Sequence, residues 1–190
     1  EERVPICQDT GTLIFEISHP CGISTSKMTS EIEAAIVEAT NKSLLRPNTV
    51  DSITGKNPGN NLGPGHPYLH FHEWGENKLE INLLLKGGGS ENVGRQYSLP
   101  DSSLKAGRDL EGVRKAVIDA VFKAQGEGCS PGVIGVGIGG DRGTGYLLAK
   151  KQLFRKLDDV NPDPQLKLLE ERLLGDLNSL GIGADRKSVV

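Results

Sequence analysis

Gly132-Val133-Ile134-Gly135-Val136-Gly137-Ile138-Gly139-Gly140 is the stretch on which the fold class turns. Residues 133–138 read as a short buried strand, and a literal G-x-G-x-x-G runs from Gly135 to Gly140. A dinucleotide site needs those glycines after the strand, where the helix begins. Here Gly135 and Gly137 lie inside the apolar run, where small residues let a neighbouring element come close. The expected fold is therefore mixed α/β (α+β), not a regular Rossmann sheet. A nucleotide-binding module built on Gly135–Gly140 stays open as the rival of a different class.

Outward from this stretch, helices and strands interleave. Gly139-Gly140-Asp141 turns into a helix over about 145–157, and a last helix over about 164–180 carries Leu166, Leu169, Leu173 and Leu177 at helical spacing. Upstream, Leu110, Val113, Val117 and Val121 make one stripe of a helix over 109–125, stopped by Gly126 and Gly128. Two strand-like runs, 67–74 and 78–85, are joined by Gly75-Glu76-Asn77 and read as a hairpin. The second run puts Leu79, Ile81, Leu83 and Leu85 on one half-buried face. Nearer the front, Leu13–Ile17 reads as a strand. Ser30 and Glu33 form a capping box for a helix over about 29–44, ended by Arg46-Pro47. The sum is one domain over 1–190 with sheet layers packed on about four main helices.

Composition narrows the function classes. A net charge of −3 argues against a nucleic-acid surface, and no apolar run approaches the ~20 residues of a membrane helix. Glycine is the outlier, 25 of 190 residues against a usual ~7 %, and it clusters, which points to close backbone work at a site. Cys7, Cys21 and Cys129 are an odd, widely spaced set that fits a reducing, cytoplasmic compartment better than a disulfide framework. The chain opens on Glu1-Glu2-Arg3 without an initiator methionine, so further residues are expected in front.

Four groups of residues carry chemistry. Cys7-Gln8-Asp9-Thr10-Gly11-Thr12 packs donors and acceptors into one turn: its thiol suits a metal and its carboxylate a proton, or the whole is an Asx turn beside a structural thiol. Lys86-Gly87-Gly88-Gly89-Ser90 follows a strand and offers unshielded N–H groups for an anion, or a flexible turn. His66, His70 and His72 include a same-face pair that suits a metal, or ordinary strand histidines. Arg46, next to a proline at a helix end, presents a planar fork for a carboxylate, or offsets the helix dipole.

Read together, Pro5–Thr12, Leu45-Arg46-Pro47-Asn48, Thr54–Gly59, Lys86–Glu91 and Cys129–Gly140 resemble the iron–sulfur class I fumarate hydratases and the related L-tartrate dehydratases. The likeness is to the α subunit or N-terminal domain and covers about 4–183. The resemblance implies a hydro-lyase acting on a C4 dicarboxylate, fumarate to malate, with L-tartrate as the alternative substrate. It implies a [4Fe–4S] cluster with Cys7 and Cys129 among its ligands and an open iron acting as Lewis acid. Asp9 takes a catalytic role, and Gln8, Arg46 and Gly87, Gly88 and Gly89 contact substrate. A closed electron-carrier cluster is disfavoured, because carriers close every iron with cysteine. The family's third ligand lies further on than this chain reaches, and Cys21 sits where the pattern has no cysteine. Residues 184–190 do not continue the pattern, so the domain is expected to be incomplete at both ends. A β subunit or C-terminal domain is the implied partner, supplying the base, in a dimer of αβ units.

Overall fold

The structure, a computed structural model, describes residues 9–128 and 132–182. It divides into two compact units, Glu1–Gly88 and Gly89–Val190.

The first unit is a three-stranded sheet with one helix. Its strands are β1 (Thr12–Pro20), β2 (Tyr68–Trp74) and β3 (Glu80–Lys86), and α1 (Thr25–Asn41) follows β1. The order is β2-β1-β3, with β1 parallel to β2 and antiparallel to β3. Leu13, Phe15 and Ile17 are buried on one face of β1 and Ile14 on the other, between the half-buried Thr12 and Glu16, as suits the central strand. Ile32 and Ile36 of α1 close over Leu13, Phe15 and Ile17, with Leu69 and Phe71 of β2 beside them. Each such side chain contributes about 1.5–3 kcal/mol on leaving water.

The expected hairpin does not form, because β1 lies between its two arms. The five residues from Gly75 to Leu79 span at most about 17 Å, enough to cross the two inter-strand gaps of ~4.8 Å each. The apolar face of β3 is the one foreseen. The register sets Ile81, Leu83 and Leu85 opposite Ile17, Phe15 and Leu13. They lie on an edge strand, however, and keep 47–49 % of their surface exposed. Helix α1 begins earlier than its expected start. The Ser24 hydroxyl caps it by accepting the Lys27 N–H, and Ser30 sits inside, donating to the Ser26 carbonyl.

The second unit is helical among its described residues. α2 (Gly88–Asn92) is one short turn at the boundary; α3 (Leu110–Ala124), α4 (Arg142–Gln152) and α5 (Pro164–Ser179) follow. Asp109, Asp141 and Asp163 cap the last three by accepting backbone N–H groups of their first turns. Val117 of α3 meets Leu169, Leu173 and Leu177 of α5 in a buried seam, bordered by the Arg114–Asp176 ion pair at 2.6 Å. The expected strand at 133–138 is absent. This run lies instead along α4, where a Cβ at Gly135 would overlap the Ala149 carbonyl and one at Gly137 the Gly145 carbonyl. The glycines serve backbone-to-helix contact, which a Cβ at either position would block. Among the described residues no helix is long and apolar enough to cross a membrane.

Candidate functional site

The polar centre of the first unit is built where β1 begins and β3 ends. Gly11 has φ +68, and a Cβ there would overlap the Lys86 carbonyl, so only glycine lets the two strands meet at this point. The approach sets Asp9, just ahead of β1, against Gly88, just past β3. Asp9 Oδ1 accepts the Gly11 N–H at 3.0 Å, an Asx turn, and also the Asn48 side-chain amide. Asp9 Oδ2 accepts the Gly88 N–H at 3.2 Å. Next to it, the buried Thr10 accepts the Arg46 N–H on its hydroxyl at 2.7 Å.

The segment from Arg46 to Thr49 has no ladder to hold it, and Asn61 does that work. Asn61 is 1 % exposed and has φ +58, a left-handed conformation that asparagine tolerates. Its Nδ2 donates to the Arg46 carbonyl at 2.9 Å and to Thr40 Oγ1 at 3.0 Å. Its Oδ1 accepts from the backbone N–H groups of Asn48 and Thr49. His66 ties the assembly to β1. Its Nε2 accepts the Leu13 N–H, so the proton sits on Nδ1, which donates to the Asn61 carbonyl at 2.9 Å.

Asp9, Arg46 and Gly88 thus come together within one unit, with the Asp9 and Arg46 side chains exposed to solvent and Gly87 half-buried beside them. Gly89 belongs to the second unit. The glycine run is not a bare cradle, since Gly88 opens α2 and its N–H is taken by Asp9. Cys7, Gln8 and Cys129 lie outside the described residues. Cys21 is an exposed thiol in the turn after β1. The histidine-metal alternative fails for His66, whose two ring nitrogens are both engaged. His72 pairs with Glu16 at 2.6 Å. Among the described residues no group of three or more His, Cys, Asp or Glu is placed to hold a metal.

The nucleotide rival loses its geometry in the second unit. Two of its glycines pack on α4, and the Asp141 carboxylate already occupies the N–H groups of Gly143 and Thr144 at the start of that helix. Bonds from Thr144 hold that carboxyl below its ordinary range, so a negative charge stands where a phosphate would bind. A shallow concavity of about 580 Å³ on the outer face of α1, lined by Glu33, Val37, Asn41 and Leu62 among others, contains none of the residues singled out above.

Asn61 carries no role in the sequence reading, while Thr10 enters it only as part of the Cys7–Thr12 turn and His66 only within the histidine-metal alternative. Asn61 was visible only as one amide in a loop dense in Asn, Gly and Pro, and nothing local marks it as the one that is buried.

The family model described as "Fumarate hydratase (Fumerase)" matches residues 1–186. The chain is 53 % identical over 186 residues to a Geobacillus stearothermophilus protein provisionally named class I fumarate hydratase, covering 96 % of this chain and 36 % of that protein. It is 37 % identical over 189 residues to a Methanocaldococcus jannaschii protein provisionally named L(+)-tartrate dehydratase subunit alpha, covering 97 % and 65 %. With the L(+)-tartrate dehydratase subunit alpha of Escherichia coli K12 the identity is 33 % over 181 residues, covering 94 % and 58 %. The chain therefore spans between about one third and two thirds of the length of these relatives. With a family match running through both units and nearly the whole sequence, the chain belongs to the fumarate hydratase (Fumerase) family.

Proposed function

We propose that this chain is the α part of an iron–sulfur hydro-lyase that reversibly adds water to fumarate to form malate. One observation carries the reading: Asp9 of Cys-Gln-Asp-Thr-Gly is bonded both to Gly88 of Lys-Gly-Gly-Gly-Ser and to Asn48 of Leu-Arg-Pro-Asn. Three motifs remote in sequence thereby form one polar surface in a member of this family. A second reading, L(+)-tartrate dehydration, is favoured by the relatives that bear that name.

Arg46 pairs with one substrate carboxylate through its planar fork, a geometry that lysine lacks. Asp9 orients the substrate hydroxyl and moves its proton, its direction set by the three N–H donors around it. Gln8 and the glycine run Gly87, Gly88 and Gly89 complete the contacts to the diacid, the Gly88 N–H remaining with Asp9. Cys7 and Cys129 hold a [4Fe–4S] cluster. The donor set suits it in kind, since cysteine thiolate is the ligand these clusters take. Cys7 also stands two residues before the anchored Asp9 in sequence. When bound, the cluster supplies a Lewis acid for a hydroxyl and a carboxylate. The base comes from a β subunit or C-terminal domain, in a cytoplasmic dimer of αβ units.

The test is anaerobic reconstitution of the chain with and without that partner, following fumarate by its ultraviolet absorbance and tartrate in parallel. Turnover is expected from the assembly and not from the chain alone, with a raised KM in Arg46→Lys. Full turnover by these 190 residues alone would refute the shared site. An assembly with its cluster loaded that leaves both substrates untouched would refute the activity.

A further inference from the structure

We infer that Asn61 is the positioning residue for Arg46: its buried carboxamide fixes the backbone from which the guanidinium meets a substrate carboxylate. The inference rests on the dicarboxylate reading above.

The amide has one orientation. Thr40 spends its hydroxyl proton on the Ile36 carbonyl at 2.8 Å, so its oxygen faces Asn61 as an acceptor. The Arg46 carbonyl is an acceptor too, and both therefore meet Nδ2. The N–H groups of Asn48 and Thr49 and the Thr49 hydroxyl then meet Oδ1, at 3.1, 3.3 and 3.3 Å. Flipping the amide would set acceptor against acceptor and donor against donor at every backbone contact. Only a carboxamide carries two donors and an acceptor on one planar head. An Asp here would bring a buried charge up against two acceptors, and a Ser would be too short.

The consequence falls on Arg46. Its carbonyl is held by Asn61 and its N–H by Thr10, so its main chain is gripped on both sides. Asn61 is in turn braced on α1 through Thr40, and on β1 through His66 and the Leu13 N–H. Arg46 stands beyond the end of α1, where regular structure no longer fixes its direction. Small displacements of a group that meets the substrate cost rate or affinity out of proportion to their size.

The experiment is a double-mutant cycle in the assembled, cluster-loaded enzyme. Asn61→Gly removes the carboxamide and tolerates the positive φ. It is expected to raise the KM for fumarate about tenfold, the scale of one lost hydrogen bond, with kcat changed less than about threefold. In an Arg46→Ala background Asn61→Gly should raise KM no further, because its effect passes through Arg46. Ile32→Val, a core change in the same unit, should lower stability and leave KM alone. Thr40→Ser keeps the acceptor for Asn61 and should keep KM, whereas Thr40→Ala should raise it. An unchanged KM in Asn61→Gly, or an equal rise with and without Arg46, overturns the inference. Where Asn61→Gly does not fold, the Thr40 pair decides, and a normal KM in Thr40→Ala overturns it. A wild-type assembly inactive on fumarate and tartrate overturns the functional reading and the inference with it; an active wild type with either result above overturns the inference alone.

Discussion

Replacing Asp9 by Asn tests how the site is held. In a simple Asx turn the change is nearly silent, since the Asn carbonyl accepts the same Gly11 N–H. The structure gives a different outcome, because both carboxylate oxygens are in use. Oδ1 serves two donors, Gly11 and Asn48, and Oδ2 serves Gly88. The Asn carbonyl will stay with the two donors, which turns its NH2 towards the Gly88 N–H. One hydrogen bond is lost and two donors face each other. Asp9 is exposed, so water relieves part of this, and the loss is about 1 kcal/mol. In a chain of this size that lowers the melting temperature by about 2–4 °C. Asp9→Ala loses all three bonds and should cost roughly twice as much. Amide hydrogen exchange reads the local event: the Gly88 amide should exchange faster in Asp9→Asn while the Gly11 amide keeps its rate. In the assembled enzyme kcat should fall by about 10²–10⁴-fold, the usual scale for a lost acid–base group, with KM moving less. A Gly88 amide that exchanges at the wild-type rate, together with unchanged melting, would refute the two-sided account of Asp9.

Gly11→Ala meets the Lys86 carbonyl at a positive φ and should destabilise the first unit by about 2–4 kcal/mol in urea titration; a shift below about 1 kcal/mol would mean that the strands separate there at little cost. Leu173→Ala removes a side chain from the seam between α3 and α5 and should cost about 2–5 kcal/mol by the same measurement, against a near-neutral change at the exposed Leu168. The Arg114 hydrogen bond holds Asp176 below its ordinary value of 3.8, and the Arg155 hydrogen bond holds Glu170 below 4.5. A depressed carboxyl contributes stability that is present above its ordinary value and is lost as the pH falls through the lowered one. Urea midpoints should therefore drop as the pH falls below about 4, and less steeply in Asp176→Asn. Equal slopes for the two proteins would show that this ion pair is not linked to folding.

The helices were legible because their signal is local. Val117 and Val121, or Leu169, Leu173 and Leu177, recur at helical spacing and face the same seam in the structure. Pairing was not legible. Alternation along 79–85 says which face is apolar but not which strand lies alongside, and β1, with Leu13, Ile14, Phe15 and Ile17 all buried, lies between the two runs. The run 133–138 has the composition of a strand, yet its glycines are used against α4, a contact that depends on a helix placed later in the chain. In the site, Asp9, Arg46 and the glycine run stood out as motifs. Asn61 did not, because its importance lies in the convergence of Thr40, Arg46, Asn48 and Thr49 around it, and none of these marks it locally.

The meeting of β1 and β3 has an entropic side. Joining Asp9 to Gly88 closes a loop of about 80 residues, which an unfolded chain resists with a penalty that grows as the logarithm of its length. The ladder bears that penalty first, since Thr12 is already paired with Lys86. The bond from Asp9 to Gly88 then needs only the ordering of the three residues before the strand and the two after it. It behaves as the next tooth of a zip rather than as a long-range encounter, and it opens or shuts with the frayed end of the sheet. The register of β1 on β3 thus becomes a setting of the site itself. A slip of one pair would turn the side chains of β1 to the opposite face and also carry Asp9 out of reach of Gly88.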